Sequence, residues 1–230
     1  MAEFLTGLPL FCIVLTVGAF QIGLWCQKKT GTALCNPILI GAVLVGGAVF
    51  LLGLDPAVYQ TGVSGMSWLL TPATVCLALP LHRQLKVLKK NLPAVIAGVA
   101  AGTVVSLMTI LLLGVLSRLD RQLIISLLPK SITVAMGMVL SEQSGGIAAL
   151  TSVAILITGI LGNITGPFLC KTLKLTDPIS QGVAYGTASH IVGTARASQV
   201  DPLAGAASSL SLVTAGILTA LIFPVLSTLL

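Results

Sequence analysis

The sequence predicts an all-α polytopic membrane protein with about seven to eight transmembrane, broken or re-entrant helices, on the measure of about 20 residues per crossing. Two compositional observations carry this. Only 8% of the 230 residues are charged, and 56% are hydrophobic. A soluble domain carries about 25% charged residues, so this chain cannot cover a water-facing surface and lipid must be its outer solvent. The third observation is the length of the apolar runs, which are continuous rather than alternating. Alternation in short segments would mark a β-barrel, and its absence excludes one.

The full-length candidates are Phe4–Trp25, Leu34–Leu54, Leu92–Leu116, Gly146–Leu169 and Leu203–Leu229. Backbone groups in lipid must be satisfied within the segment, so these runs are helices. Phe4–Trp25 is long and has no basic residue before it, which reads as a first span rather than a cleaved leader. Three further segments are interrupted. Trp68–His82 carries Pro72 and Pro80, and Gln122–Glu142 is broken by Pro129-Lys130-Ser131. Gly182–Val200 is rich in Gly, Ala, Ser and Thr and contains His190 and Arg196. Leu69–Val75 and Leu127–Val134 are loosely alike. An internal repeat around a midplane site and chance similarity of apolar sequence account for this equally well. The whole of 1–230 reads as a single transmembrane domain.

The formal charge is +6, and most Lys and Arg sit in short loops. No basic face with interleaved aromatics offers itself to nucleic acid. The loops holding Lys28 and Lys29, Arg83 to Lys90, and Lys171 and Lys174 should face the cytoplasm, and Asp55–Ser67 the outside with the amino terminus. Arg118 and Arg121 then lie outside. That assignment holds only if Gln122–Glu142 re-enters and returns to the same side. The five cysteines form no CxxC pair and are odd in number, so neither a disulfide framework nor a zinc site is expected.

Lys130 lies near the middle of an apolar segment, where an ionisable residue faces a bundle interior or a watery cavity. The competing reading ends a helix at Leu128 and lets Lys130 reach the headgroups. Ser131 and Thr133 add polar partners. A continuous helix over Gly182–Ser198 would place Thr187, His190, Thr194 and Ser198 on one stripe, and Gly186, Gly193 and Ala197 on another. Tyr185, Ser189 and Arg196 would form a third. His190 reads as a proton shuttle or as a satisfied structural group. Arg196 offers a planar fork for a carboxylate or phosphate, or else anchors a helix end beside Asp201. The candidate solute-binding residues are therefore Lys130, Ser131, Thr133, Thr187, Ser189, His190, Thr194 and Arg196. Gly98, Gly102, Gly182, Gly186 and Gly193 are the candidate helix-packing positions, and Asn163 should hydrogen-bond another helix. All three candidate intramembrane charges are basic, so a small anion would relieve them where a cation would not. No HExxH, GxSxG or intramembrane aspartate pair is present. The chain does not read as an enzyme, and neither cofactor nor metal is expected.

Gly186-Thr187-Ala188-Ser189-His190-Ile191-Val192-Gly193-Thr194-Ala195-Arg196 closely resembles the hallmark of the LrgB family, also called the CidB or YohK family. Asn36-Pro37, Leu128-Pro129-Lys130-Ser131-Ile132-Thr133 and Gly145-Gly146-Ile147 match in the family's order, so the resemblance covers essentially the whole chain. Val134-Ala135-Met136 follows Thr133 where relatives often carry a further Pro, which puts the backbone break after Lys130 in doubt. The resemblance implies a multi-pass protein of the bacterial inner membrane, an LrgA-type membrane partner and an oligomeric assembly. It implies two competing functions. One is transport of small monocarboxylates such as pyruvate, glycolate or glycerate, the last two being exchanged by a plastid relative that fuses both halves. The other is antiholin-like control of murein hydrolase export and autolysis. The basic residues favour transport.

Overall fold

The computed structural model describes residues 9–30, 35–69, 72, 75, 76 and 78–230. The match of Leu69–Val75 to Leu127–Val134 rests largely on residues outside this set. The chain divides into two compact units, residues 1–76 and 77–230.

The first unit holds α1 (Pro9–Thr30), α2 (Pro37–Leu51) and α3 (Pro56–Ser67). Asn36 and Asp55 start α2 and α3, each accepting a 2.8 Å hydrogen bond from the amide two residues on. The prolines that follow occupy the first helical position, where a missing N–H costs nothing. α1 and α2 run antiparallel. Gly23 lies against the backbone of Pro37, where a Cβ would come within 2.8 Å, and Gly41 lies against Phe20. Thr16 on α1 and Tyr59 on α3 share a 2.6 Å hydroxyl contact.

The second unit begins with two short helices, α4 (Ala78–Arg83) and α5 (Leu85–Lys90). It continues with α6 (Leu92–Leu116), α7 (Arg121–Leu127), α8 (Val134–Gln143), α9 (Ala148–Thr172), α10 (Pro178–Val200) and α11 (Pro202–Thr228). α6 and α11 run parallel. Val95 and Val99 pack with Ala215 near one end. Leu107 packs with Phe223 and Leu226 near the other. α9 runs antiparallel to both and packs on α8 and α10.

Of the three interrupted segments, Trp68–His82 lies partly outside the described residues, and the other two double back. In the first, Gly137 of α8 returns to the Pro129 carbonyl, and the Ser141 hydroxyl returns to the base of α7 beside Gly146 and Ser126. α7 and α8 are thus the arms of a hairpin with its tip at Leu128–Thr133. In the second, α10 leaves helical geometry at Ser189 and His190. A Cβ on Gly193 would meet the carbonyl of Tyr185 at 2.5 Å, although eight residues of straight helix would hold these positions about 12 Å apart at 1.5 Å per residue. Both arms lie on α11 in opposite senses. Gly182 and Gly186 climb along Ala204 to Ser211, while Thr194 and Ser198 descend along Ser208 to Gly205. The stripes expected for one continuous helix therefore apply only within each arm.

Residues 121–172 and 178–228 thus share one plan, a helical hairpin followed by a long helix, in opposite orientations. The first hairpin enters from the Arg118 end and the second from the end that carries α5. Lys86, Lys89 and Lys90 therefore share an end of this unit with Lys174, and Arg118 and Glu142 share the other. α1, α6, α9 and α11 are the described helices long and apolar enough to cross a membrane. The chain is a polytopic membrane protein, but the described residues do not make a clear set of seven or eight crossings.

Cysteine labelling in a cysteine-free background checks the second hairpin. Lys86→Cys and Val200→Cys should react with an impermeant reagent from the same side, and Arg118→Cys from the opposite side. Reaction of positions 86 and 200 from opposite sides would restore a straight, crossing α10.

Candidate solute site between the hairpin tips

The first tip is built on Pro129. It has no N–H to give to a helical ladder, and the chain turns through hydrogen bonds from Lys130 N to Leu127 O (3.2 Å) and Ile132 N to Pro129 O (3.3 Å). A buried knot of hydroxyls fixes the hairpin's base. Thr151 Oγ1 on α9 lies 2.9 Å from Ser126 O and 2.7 Å from Ser141 Oγ. The Ile147 amide donates to Ser126 Oγ at 2.8 Å.

The second tip stores strain. His190 has φ 43° and ψ −135°, a conformation that costs an L-residue about 1–3 kcal/mol and persists only where its surroundings over-determine it. Here they do. His190 Nε2 lies 2.9 Å from the Ile155 carbonyl on α9. Thr194 Oγ1 donates to the His190 carbonyl at 2.9 Å and meets Ser208 Oγ on α11 at 2.9 Å. Ser189 presses its side chain onto Gly162, and the imidazole lies on Gly159, so α9 accepts this tip only where it has no side chain of its own.

A cleft of about 400 Å³ opens between α6, the first tip and the entering arm of α10, lined in part by Ser106, Lys130, Ser131 and Thr187. It runs along Gly98, Val183 and Ala184 into a wider mouth of about 560 Å³ beside Asn91, Asp177 and Ser180. Gly98 and Gly102 keep the α6 wall smooth; a Cβ on Gly102 would stand 2.9 Å from the Thr187 methyl group. At the mouth, Asp177 caps α10. Backbone and hydroxyl hydrogen bonds from Ser180, each 2.8 Å, hold its carboxyl below the ordinary carboxylate range.

Lys130 is the charged residue of the inner cleft. Its Nζ donates to Ser131 Oγ at 3.3 Å, and Ser131 Oγ meets Ser106 Oγ at 3.0 Å. Among the described residues no carboxylate pairs with it. An ammonium in this position lacks a counter-charge, which an incoming anion would supply.

The other expected residues are dispersed. Thr133 begins α8, its carbonyl accepting from Gly137 N at 2.8 Å, and it does not line the cleft. Ser189 and His190 face α9, and Thr194 faces α11. Arg196 points away from the cleft. Its guanidinium lies beside Tyr185 and donates to Gln199 at 3.3 Å, while Nε has no protein partner. Asp201 accepts from Leu203 N at 2.6 Å and so caps α11. Asn163 Nδ2 donates to Val192 O at 3.4 Å and ties α9 to the second hairpin. Ser106, Thr103 and Thr219 were not among the expected residues. The signal available for the first two was a pair of hydroxyls one turn apart inside the apolar run Leu92–Leu116.

His190 substitutions separate its hydrogen bond from its backbone strain. His190→Ala loses the bond to Ile155 and keeps the strained φ, so stability in detergent should fall by about 1–3 kcal/mol. His190→Gly also loses the bond but relieves the strain, and should be the more stable of the two by thermal unfolding. Equal stabilities would show that the tip is not strained in the membrane protein.

Among the described residues no group of three or more His, Cys, Asp or Glu could hold a metal ion. No solved structure matches the chain at a significant level. The family model of the LrgB-like family matches residues 16–229. That match covers both units and both hairpins, and the chain belongs to the LrgB-like family.

Proposed function

We propose that this protein carries small monocarboxylates of the pyruvate, glycolate or glycerate kind across a bacterial inner membrane, together with an LrgA-type partner. The observation that carries the reading is Lys130: an ammonium at the tip of a re-entrant hairpin, in a cleft, with only a serine hydroxyl as partner among the described residues. A carboxylate arriving there gains charge-assisted hydrogen bonds and neutralises a charge that the fold leaves unmatched. The architecture supports the same reading. Hairpins of opposite orientation meeting at a central site let either side open in turn, as in carriers built from inverted repeats. An antiholin-like pore makes no use of an ammonium set in a cleft, and it becomes an outcome of the test.

The test uses proteoliposomes holding the protein and its partner. Labelled pyruvate uptake should saturate and should accelerate when unlabelled pyruvate is trapped inside, while a neutral sugar stays put. Lys130→Ala should weaken uptake by about 10- to 100-fold, the equivalent of about 1.5–3 kcal/mol for a hydrogen bond to a charged group. Arg196→Ala should act through hairpin stability and leave substrate affinity within a few-fold. Non-saturating entry of acid and sugar together would replace the carrier with a pore. Undiminished uptake by Lys130→Ala would move the site elsewhere.

A further inference from the structure

The inner end of the cleft narrows into a chamber of about 10 Å³. That is the room one oxygen atom or one water molecule needs. Thr103, Ser106, Ser131, Thr187 and Thr219 bring hydroxyl-bearing side chains to its wall, drawn from α6, both hairpins and α11. Ser106 and Ser131 satisfy each other. Thr103 Oγ1 and Thr187 Oγ1 do not: both are buried, on residues 4% and 6% exposed, and neither has a hydrogen-bond partner among the described residues. A buried hydroxyl without a partner costs about 1–3 kcal/mol, so whatever fills the chamber, a water at rest or an oxygen of the solute, finds two hydroxyls to bond. Valine has the same shape and would fill both positions without that cost.

Ser106, Ser131 and Thr187 line both the chamber and the cleft, so the chamber opens beside the Lys130 ammonium. Its lining side chains are all neutral, and a positive charge stands at its entrance. A bare cation is repelled there, and a whole carboxylate does not fit. A single oxygen on the carbon next to a carboxylate does fit, with the carboxylate itself left on Lys130. Building on the carrier reading above, we infer that Thr103 and Thr187 are the specificity-determining residues, and that their hydroxyls bind the keto or hydroxyl oxygen at carbon 2 of the solute. A hydroxyl both donates and accepts, so the pair serves an oxo acid and a hydroxy acid alike. An acid without that oxygen leaves both hydroxyls unmatched, and a site built around buried polar groups rejects such analogues.

The experiment compares competition by lactate and by propionate against labelled pyruvate uptake. Propionate is lactate without its hydroxyl. The wild type should prefer lactate by at least about 10-fold, the equivalent of about 1.4 kcal/mol. Thr103→Val and Thr187→Val should each cut that preference several-fold, and the double variant should lose it. Propionate competition should stay as strong or become stronger. Because these hydroxyls have no partner among the described residues, both single variants should melt no lower than the wild type in detergent. Loss of lactate and propionate competition in equal proportion would make the threonines structural and overturn the inference, as would an unchanged preference. If no carboxylate competes with or enters the wild type, the carrier reading falls and this inference with it. A wild type that takes lactate and propionate equally removes the inference alone.

Discussion

Backbone that leaves the helical ladder inside a membrane must find its polar partners in protein, because lipid offers none. The second unit is organised around two places where this happens. At Leu128–Thr133 and at Ser189–His190 the chain turns back, and the long helices α6, α9 and α11 are spaced to receive the two turns. The glycines of α9 follow from the same constraint. Gly159, Gly162 and Gly166 stand where His190, Ser189 and Tyr185 come down, and a methyl group at any of them would collide. Gly182 and Gly186 let the entering arm lie against the backbone of α11. Sequence, packing and turn geometry are one solution to one problem.

The two hairpins meet that constraint in different ways, and the difference bears on function. The second tip is tied down: His190 and Thr194 bond α9, α11 and the tip's own backbone, and Ser189 packs on Gly162. The first tip is closed at its base by Ser126, Ser141 and Thr151 but left open at its end. There Lys130 and Ser131 face the cleft with only each other and Ser106. The proposed site takes its chemistry from the contrast between a tied-down tip and an underpaired one: a solute there would supply partners that the described residues do not. The two threonines that lack partners belong to the same boundary, where α6 and the second hairpin close the cleft.

Much of this was legible in the residues. Low charge and long apolar runs gave the membrane class. The clash between the basic loops and a straight Gln122–Glu142 segment pointed to a reversal at Pro129, and the structure has that reversal. Gly182–Val200, rich in Gly, Ala, Ser and Thr, stood apart from the plain apolar spans. The doubling-back at His190 was not legible, because no proline or glycine sits at positions 189 and 190 to announce it. A histidine holds a left-handed φ there only because Ile155, Ser208 and Thr194 hold it, and two of those partners lie on other helices. For the same reason the expected residues are dispersed in the structure. The helical stripe that grouped Thr187, His190 and Thr194 assumed a continuous α10, and the break turns His190 toward α9 and Thr194 toward α11. Thr103 and Ser106 were overlooked because an isolated hydroxyl in an apolar helix usually bonds its own backbone; only the packing of Gly102 on Thr187 brings them to a shared wall.

The central claim is that a carboxylate occupies the cleft at Lys130. Ala188 lines that cleft and is exposed to it, so the alkylation rate of Ala188→Cys, in a chain otherwise free of cysteine, reads the occupancy directly. Pyruvate should slow the reaction in a saturable way, a neutral molecule of similar size should not, and adding Lys130→Ala should abolish the protection. An alkylation rate indifferent to pyruvate, or protection that survives the loss of Lys130, would contradict the account.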